Sequence, residues 1–256
     1  MENLVQYVTG FFPVMVRVSG LVMAAPILGG RGVPPQLRAA LTLVTALVLY
    51  PALGALPVPS APAAYFALVI RELVVGLGLG YAVTLVFSAV YLAGQLIDVP
   101  MGFGMVNVVD PQSGTQVPII AQFQYILAAL IFFAVRGHHA LLRALATSFA
   151  VIPIGGGFPK GSLAGTVVEI FVSMFYLGVR LSLPLMAGLV LADIAMGIIA
   201  RAVPQINVFM LEFPAKILLG LLLLLALLPG YVSVLTRIFS GQGDLARVLE
   251  AFMASF

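Results

Sequence analysis

The stretch LVVGLGLGYAVTLVFSAVYLAGQLI, residues 73–97, decides the fold. Its 25 residues carry no charge, with Arg71-Glu72 just before it and Asp98 just after. About 20 apolar residues, each rising 1.5 Å along a helix, cross the roughly 30 Å hydrocarbon core of a bilayer. A backbone in lipid must satisfy its own hydrogen bonds, so a membrane-spanning helix is expected here, opened by the Arg71-Glu72 pair. Gly76 and Gly80, with Gly78 between them, put small residues on one helix face where another backbone can approach closely. They are expected to pack against a partner.

On the N-terminal side lie two more apolar runs, residues 4–28 with Arg17 inside, and residues 39–56. Met1-Glu2-Asn3 lacks the positive charge of a signal peptide, so the first run is expected to stay in the mature chain. On the C-terminal side are residues 119–135, 140–152, 163–192 and 217–228, the last followed by Pro229-Gly230. The final segment is amphipathic. Leu245, Val248, Leu249 and Phe252 recur at i, i+3, i+4, i+7, which suits a membrane surface or a partner. The fold class expected is all-α, a multi-pass helical membrane protein with broken helices.

Composition agrees. Of 256 residues, 62% are hydrophobic and 8% charged, against about 25% charged in soluble domains. Twelve basic and nine acidic side chains cannot coat a soluble surface of this size. An ordinary soluble enzyme, a disordered chain and a nucleic-acid binder are therefore excluded as expectations. The net charge of +3 comes from scattered residues. With no cysteine there is no disulfide, thiol nucleophile or thiolate metal site.

Residues 98–118 are the least helix-like, with three prolines and three glycines in 21 residues. A loop is expected. Loops of this length are usually functional or disordered, and Met101, Phe103, Met105 and Val106 argue against free disorder.

Lys and Arg placement does not orient the spans. Arg31 and Arg38 follow the first run, and Arg136 and Arg143 follow the fourth. Simple hairpins would put these two pairs on opposite sides, against the positive-inside rule. Some segments are expected not to cross the bilayer in the ordinary way.

Candidate chemistry is sparse. Asp98 and Asp110 suit loop capping better than an aspartyl protease dyad, because Met105 stands where the Gly-x-Gly pattern wants an aspartate. Ser113 lacks the glycine two residues earlier that a serine–histidine dyad would want. His138-His139 diverge by about 100° on a helix and have no third histidine, so they suit a polar helix start after Gly137. Arg17, Glu169, Arg180 and Asp193 fall within apolar runs. A charged group there costs about 2.5–3.5 kcal/mol at a helix centre, so all four are expected to be buried against helices or water, chiefly as ion pairs. A small-molecule or ion transporter using Arg17 and Asp193 is the alternative function these charges allow.

Several motifs, taken in order, resemble the FliR family of flagellar export-gate proteins, which is shared with the T component of virulence type III secretion systems. They are Arg17, Ala25-Pro26, Val33-Pro34 and Arg38; Met101-Gly-Phe-Gly-Met; Asp110-Pro-Gln-Ser-Gly-Thr; Gly137-His-His; Ser148-Phe149 with Pro153; and Pro204-Gln-Ile-Asn-Val-Phe with Phe213-Pro214 and Lys216-Ile217. The resemblance spans nearly the whole chain. It implies a non-enzymatic subunit, without cofactor, of a helical hetero-oligomeric gate in the bacterial inner membrane at the flagellar basal body. The implied partners are FliP and FliQ homologues, FlhB, FlhA, membrane lipid and, transiently, unfolded export substrates. The single domain 1–256 would divide into a FliP-like part, 1–165, and a FliQ-like helical hairpin plus the C-terminal amphipathic helix, 166–256. Gln205, Asn207, Pro214 and Lys216 lie in the FliQ-like signature and would pack on partners. Ala215 stands where leucine is common, and Glu212 adds a charge there.

The resemblance also implies a pore plug. Met101, Phe103, Met105 and Val106 would seal it, and Gly102 and Gly104 would let its backbone move. Asn107, Asp110, Pro111, Gln112, Ser113, Gly114, Thr115 and Gln116 would hold the loop. Bulky apolar side chains make a dry constriction, and flexible methionine adapts to varied polypeptides.

Overall fold

The computed structural model describes residues 2–30, 32–54, 56–59, 61–103, 118–156, 163–203, 205 and 207–256. All regular secondary structure among them is helical: α1 (Glu2–Ala24), α2 (Pro35–Leu49), a 3-10 turn (Tyr50–Leu53), α3 (Pro62–Met101), α4 (Ile119–Ala134), α5 (Gly137–Val151), α6 (Leu163–Ala202), α7 (Val208–Phe239) and α8 (Asp244–Ala254). Among the described residues five helices are long and apolar enough to cross a membrane, and α4 with α5 makes a sixth if taken as one broken span. Arg136, with φ 59 and ψ 33, turns the chain between those two.

Some boundaries differ from expectation. Arg71-Glu72 does not open a span; α3 begins at Pro62 and carries both residues inside it. Asp98, Pro100 and Met101 belong to the end of α3 rather than to a loop. Pro229-Gly230 does not close the last apolar run either, since α7 continues through both Pro214 and Pro229 to Phe239. A helix in apolar surroundings keeps its remaining backbone bonds because nothing competes for them.

The chain forms two compact units: Met1–Val86, Val135–Phe171 and Phe239–Phe256 in the first, Phe87–Ala134 and Val172–Ile238 in the second. This partition by packing differs from the 1–165 and 166–256 division, which rests on likeness to other proteins.

In the first unit α1 lies on residues 62–86 of α3 with backbones in contact. A Cβ on Gly20 would stand 2.8 Å from the amide nitrogen of Leu77. One on Gly76 would strike the carbonyl of Arg17, and one on Gly80 would stand 2.6 Å from Cβ of Ala24. Gly76 and Gly80 therefore pack within this chain, against α1, which corrects their expected role as a partner face. Pro13 inside α1 removes the amide that would bond the carbonyl of Thr9, and the Tyr65 hydroxyl donates to that carbonyl at 3.1 Å. Beyond the end of α1's ladder, the Thr84 hydroxyl donates to the Ala24 carbonyl at 2.6 Å. The amphipathic α8 folds back onto its own unit. Leu245, Val248, Leu249 and Phe252 are all buried, and the Phe252 ring fills the space beside Gly78. The apolar stripe is thus satisfied by this chain rather than by a membrane surface or partner.

In the second unit, residues 87–101 of α3 pack on α4 where Gly94 meets the Ala121 backbone. Phe87 stacks edge-on against Tyr125 and Phe132, with centroids 5.8 and 5.6 Å away. On α6, Gly178 approaches the Ala89 carbonyl, and Gly188 the Leu223 side chain of α7. Most of α6 and α7 is nevertheless uncovered: 11% and 6% of their apolar spans are buried, and Leu191 and Leu225 are two-thirds exposed. An all-α chain with so much apolar helix surface is a multi-pass membrane protein.

Candidate functional site

In the first unit Arg17 is a fully buried cation. Its Nε donates to Oε2 of Glu72 at 2.6 Å, and Glu72 is as buried as Arg17. Nη1 donates to the Ser148 carbonyl at 2.9 Å and to Ser148 Oγ at 3.2 Å, and Nη2 donates to the Ile152 carbonyl at 2.8 Å. The guanidinium carbon sits 4.2 Å from the centre of the Phe149 ring, a cation–π contact.

The local sequence explains why α5 needs this cation. Pro153 cannot continue the helix and holds Ile152 off helical geometry, at φ −120 and ψ 78. The last carbonyls of α5 then lack their full set of amide donors, although that of Ser148 still accepts from the Ile152 amide at 2.8 Å. Arg17 supplies donors to two of them, and Arg71 Nη1 donates to the Pro153 carbonyl at 3.1 Å. Arg71 also lies 3.6 Å from Oε1 of Glu72. Two arginines therefore face one carboxylate and the negative end of a helix. With its oxygens turned to two arginines, Glu72 ties α3 to α1 through Arg17.

In the second unit the ends of the 102–118 segment are held together. The Asp98 carboxylate, on the last turns of α3, accepts from the amides of Ile120 at 2.9 Å and Ala121 at 3.1 Å. These are first-turn amides of α4 with no intrahelical acceptor. Beside them Ile97, Met101, Ile120, Leu185 and Leu189 form a closed apolar cluster, with Phe103, Met186, Leu223 and Leu224 packed around it. The Met101 side chain lies over Gly220 of α7. Gly102 then turns the chain at φ +93, a conformation glycine adopts without steric cost. Substituting Asp98→Ala should cost about 1–2 kcal/mol, the range for a lost helix cap, and Asp98→Asn less. Thermal unfolding of the purified chain in mild detergent measures this; an unchanged midpoint for Asp98→Ala would remove the clamp.

The other expected site residues divide as follows. Met101 is fully buried in the apolar cluster, so it anchors the segment instead of lining a pore; an apolar side chain at a helix end reads alike in sequence whichever it does. Phe103 packs against the same cluster, and Gly102 lies beside the Phe213 ring. Gly104, Met105, Val106, Asn107, Asp110, Pro111, Gln112, Ser113, Gly114, Thr115 and Gln116 lie outside the described residues. Arg17 is buried and paired with Glu72. Glu169 and Arg180 are exposed on this chain, and Asp193 is 43% exposed, which corrects their expected burial. Their helix, α6, has little of its surface covered, so it offers no interior to bury them. Asp193 does form an ion pair, with Lys216 Nζ at 2.6 Å, and Glu212 joins the same ammonium at 2.5 Å. Gln205, Asn207 and Pro214 are exposed.

Sequence reasoning missed Glu72 as the partner of Arg17. Its position directly after Arg71 looked like a span boundary. The available signal was that a helix begun at Pro62 places Glu72 well inside an apolar run. Among the described residues no group of three His, Asp or Glu is placed to hold a metal ion.

The described residues form a multi-pass helical membrane protein in which a buried charge pair joins α1 to α3. Residues 8–241 match the family described as Bacterial export proteins, family 1. The chain is 34% identical over 256 residues to the flagellar biosynthetic protein FliR of Bacillus subtilis (strain 168), covering 99% of each. It is 31% identical to the protein of that name from Escherichia coli (strain K12), over 93% of this chain and 92% of the other. With the one from Pectobacterium carotovorum subsp. carotovorum it shares 30% identity, over 95% of this chain and 93% of the other. The chain belongs to this family of bacterial export proteins. It is a membrane-located component of the flagellar export apparatus, a transport protein rather than an enzyme.

Proposed function

We propose that the chain is an integral subunit of the flagellar type III protein export gate in the bacterial inner membrane, at the basal body. It helps to form and seal the channel through which unfolded flagellar subunits cross. The observation that carries this is the clamp: Asp98 ties the end of α3 to the first amides of α4, and Met101 and Ile120 share one buried cluster. The segment between therefore leaves and returns at one rigid point. That is what a plug needs, since its base must stay fixed while its body yields to a polypeptide. Phe103, Met105 and Val106 supply the seal, and the polar residues from Asn107 to Gln116 hold it.

FliP and FliQ homologues are the proposed cover for the exposed apolar faces of α6 and α7 and for the exposed Gln205, Asn207 and Pro214, with FlhB and FlhA acting beside them. Residues 1–165 take the FliP-like place and 166–256 the FliQ-like place. Deleting 104–114 while keeping Asp98, Met101 and Ile120 should raise ion conductance of the assembled gate several-fold in planar bilayers. Unchanged conductance in a fully assembled gate would overturn the plug role.

A further inference from the structure

We propose that the face of α6 and α7 around Asp193 docks an apolar partner helix that carries one lysine or arginine. This rests on the reading that other subunits cover the face, and it adds the chemistry of the contact. Lys216 Nζ, on a side chain only 12% exposed, meets Oδ1 of Asp193 from α6 and Oε1 of Glu212 one turn earlier on α7. Two carboxylates against one ammonium leave one negative charge. Among the described residues no other cation pairs with either carboxylate. The surplus lies toward the outside, since the Asp193 side chain is 43% exposed and that of Glu212 27%.

The neighbours of this charge are apolar and open. Val190, Ile194 and Ile198 on α6, with Leu211 and Leu218 on α7, are each about half to two-thirds exposed. Large apolar side chains left open on neighbouring turns mark a contact surface. Both helices are long and apolar enough to cross a membrane, so lipid and protein are the two candidate covers. Lipid tails hold no counter-charge, and a surplus carboxylate among them is costly. A partner helix with a single cation satisfies the apolar side chains and the carboxylate together. Its backbone also has room to come close. Gly197 stands one turn beyond Asp193, and a Cβ built there would meet nothing within 4 Å. Small residues at such a position let two membrane helices approach closely.

The test uses the tagged full chain, co-expressed with FliP and FliQ homologues from the same genome and purified in mild detergent. Native mass spectrometry reads the fraction of the chain that enters a multi-subunit particle. Glu212→Gln removes the surplus charge and leaves the Asp193–Lys216 tie between α6 and α7 in place. It should lower that fraction roughly ten-fold, from the loss of one side of a buried interfacial charge pair. Asp193→Asn should do the same, and Asp193→Glu should restore assembly. Gly197→Leu keeps every charge and fills the approach, so it should lower the fraction too. Unchanged unfolding midpoints of the isolated Glu212→Gln and Gly197→Leu chains separate docking from folding. If the particle forms and Glu212→Gln enters it as readily as the parent, the charge contact is overturned while cover by other subunits stands. If Asp193→Asn alone fails, the cluster serves only the packing of α6 on α7, which also overturns the proposal. If the parent chain enters no particle, cover by other subunits fails and this contact fails with it.

Discussion

Replacing Arg17 with methionine should destabilise the chain by about 3–5 kcal/mol, the range for breaking one side of a buried ion pair. The substitution keeps the length and the apolar stem, so the loss is electrostatic. Glu72, with no exposed surface, would be left with only Arg71 beside it, 3.6 Å away. The Ile152 carbonyl would lose its Arg17 donor, and the Ser148 carbonyl would keep only the Ile152 amide. Arg17→Lys should recover part of the loss, because an ammonium cannot reach Glu72, Ser148 and Ile152 together with fork geometry. Arg17→Met combined with Glu72→Leu should be less destabilising than Arg17→Met alone, since the orphaned carboxylate is gone. Equilibrium unfolding of the full chain in detergent reads all three. If the double variant were no more stable than the single, the cost would lie in the helix end and not in the ion pair.

Gly76→Val should cost about 3 kcal/mol, at the upper end for overpacking a tight core. The added atoms meet the backbone of Arg17, and a backbone cannot swing aside as a side chain can. α1 would have to retreat from α3, carrying Arg17 away from Glu72, so this site and the ion pair should be energetically coupled. Gly197→Ala provides the contrast. That glycine is also helical but has open space around it, so it should be neutral or slightly stabilising in the isolated chain. Unfolding midpoints of both variants check the pair. A neutral Gly76→Val would mean that α1 and α3 do not touch as described.

The sequence was most informative where a property is local and additive. Uninterrupted apolar runs such as residues 73–97 specify membrane helices, because each residue's transfer into lipid contributes separately. The heptad-like spacing of Leu245, Val248, Leu249 and Phe252 similarly announced an amphipathic helix, and α8 is one. Local reading erred at edges. A charged pair looked like the start of a span at Arg71-Glu72, and a Pro-Gly pair looked like a stop at Pro229, yet α3 and α7 run through both.

Of the candidate site, the sequence by itself determined that Arg17 must find a counter-charge and that Gly76 and Gly80 mark a close approach. Which group meets which was decided only by the tertiary structure. Arg17 reaches Glu72 across 55 positions and Ile152 across 135, while Glu169, Arg180 and Asp193, which look equivalent in sequence, stay on uncovered helix surface. The same holds for Met101, whose apolar side chain suits a pore or a core equally well until α6 and α7 close over it. The physical reason is range. Helix formation and lipid transfer depend on neighbours along the chain, whereas an ion pair or a packed cluster depends on distances that exist only once separate helices have come together.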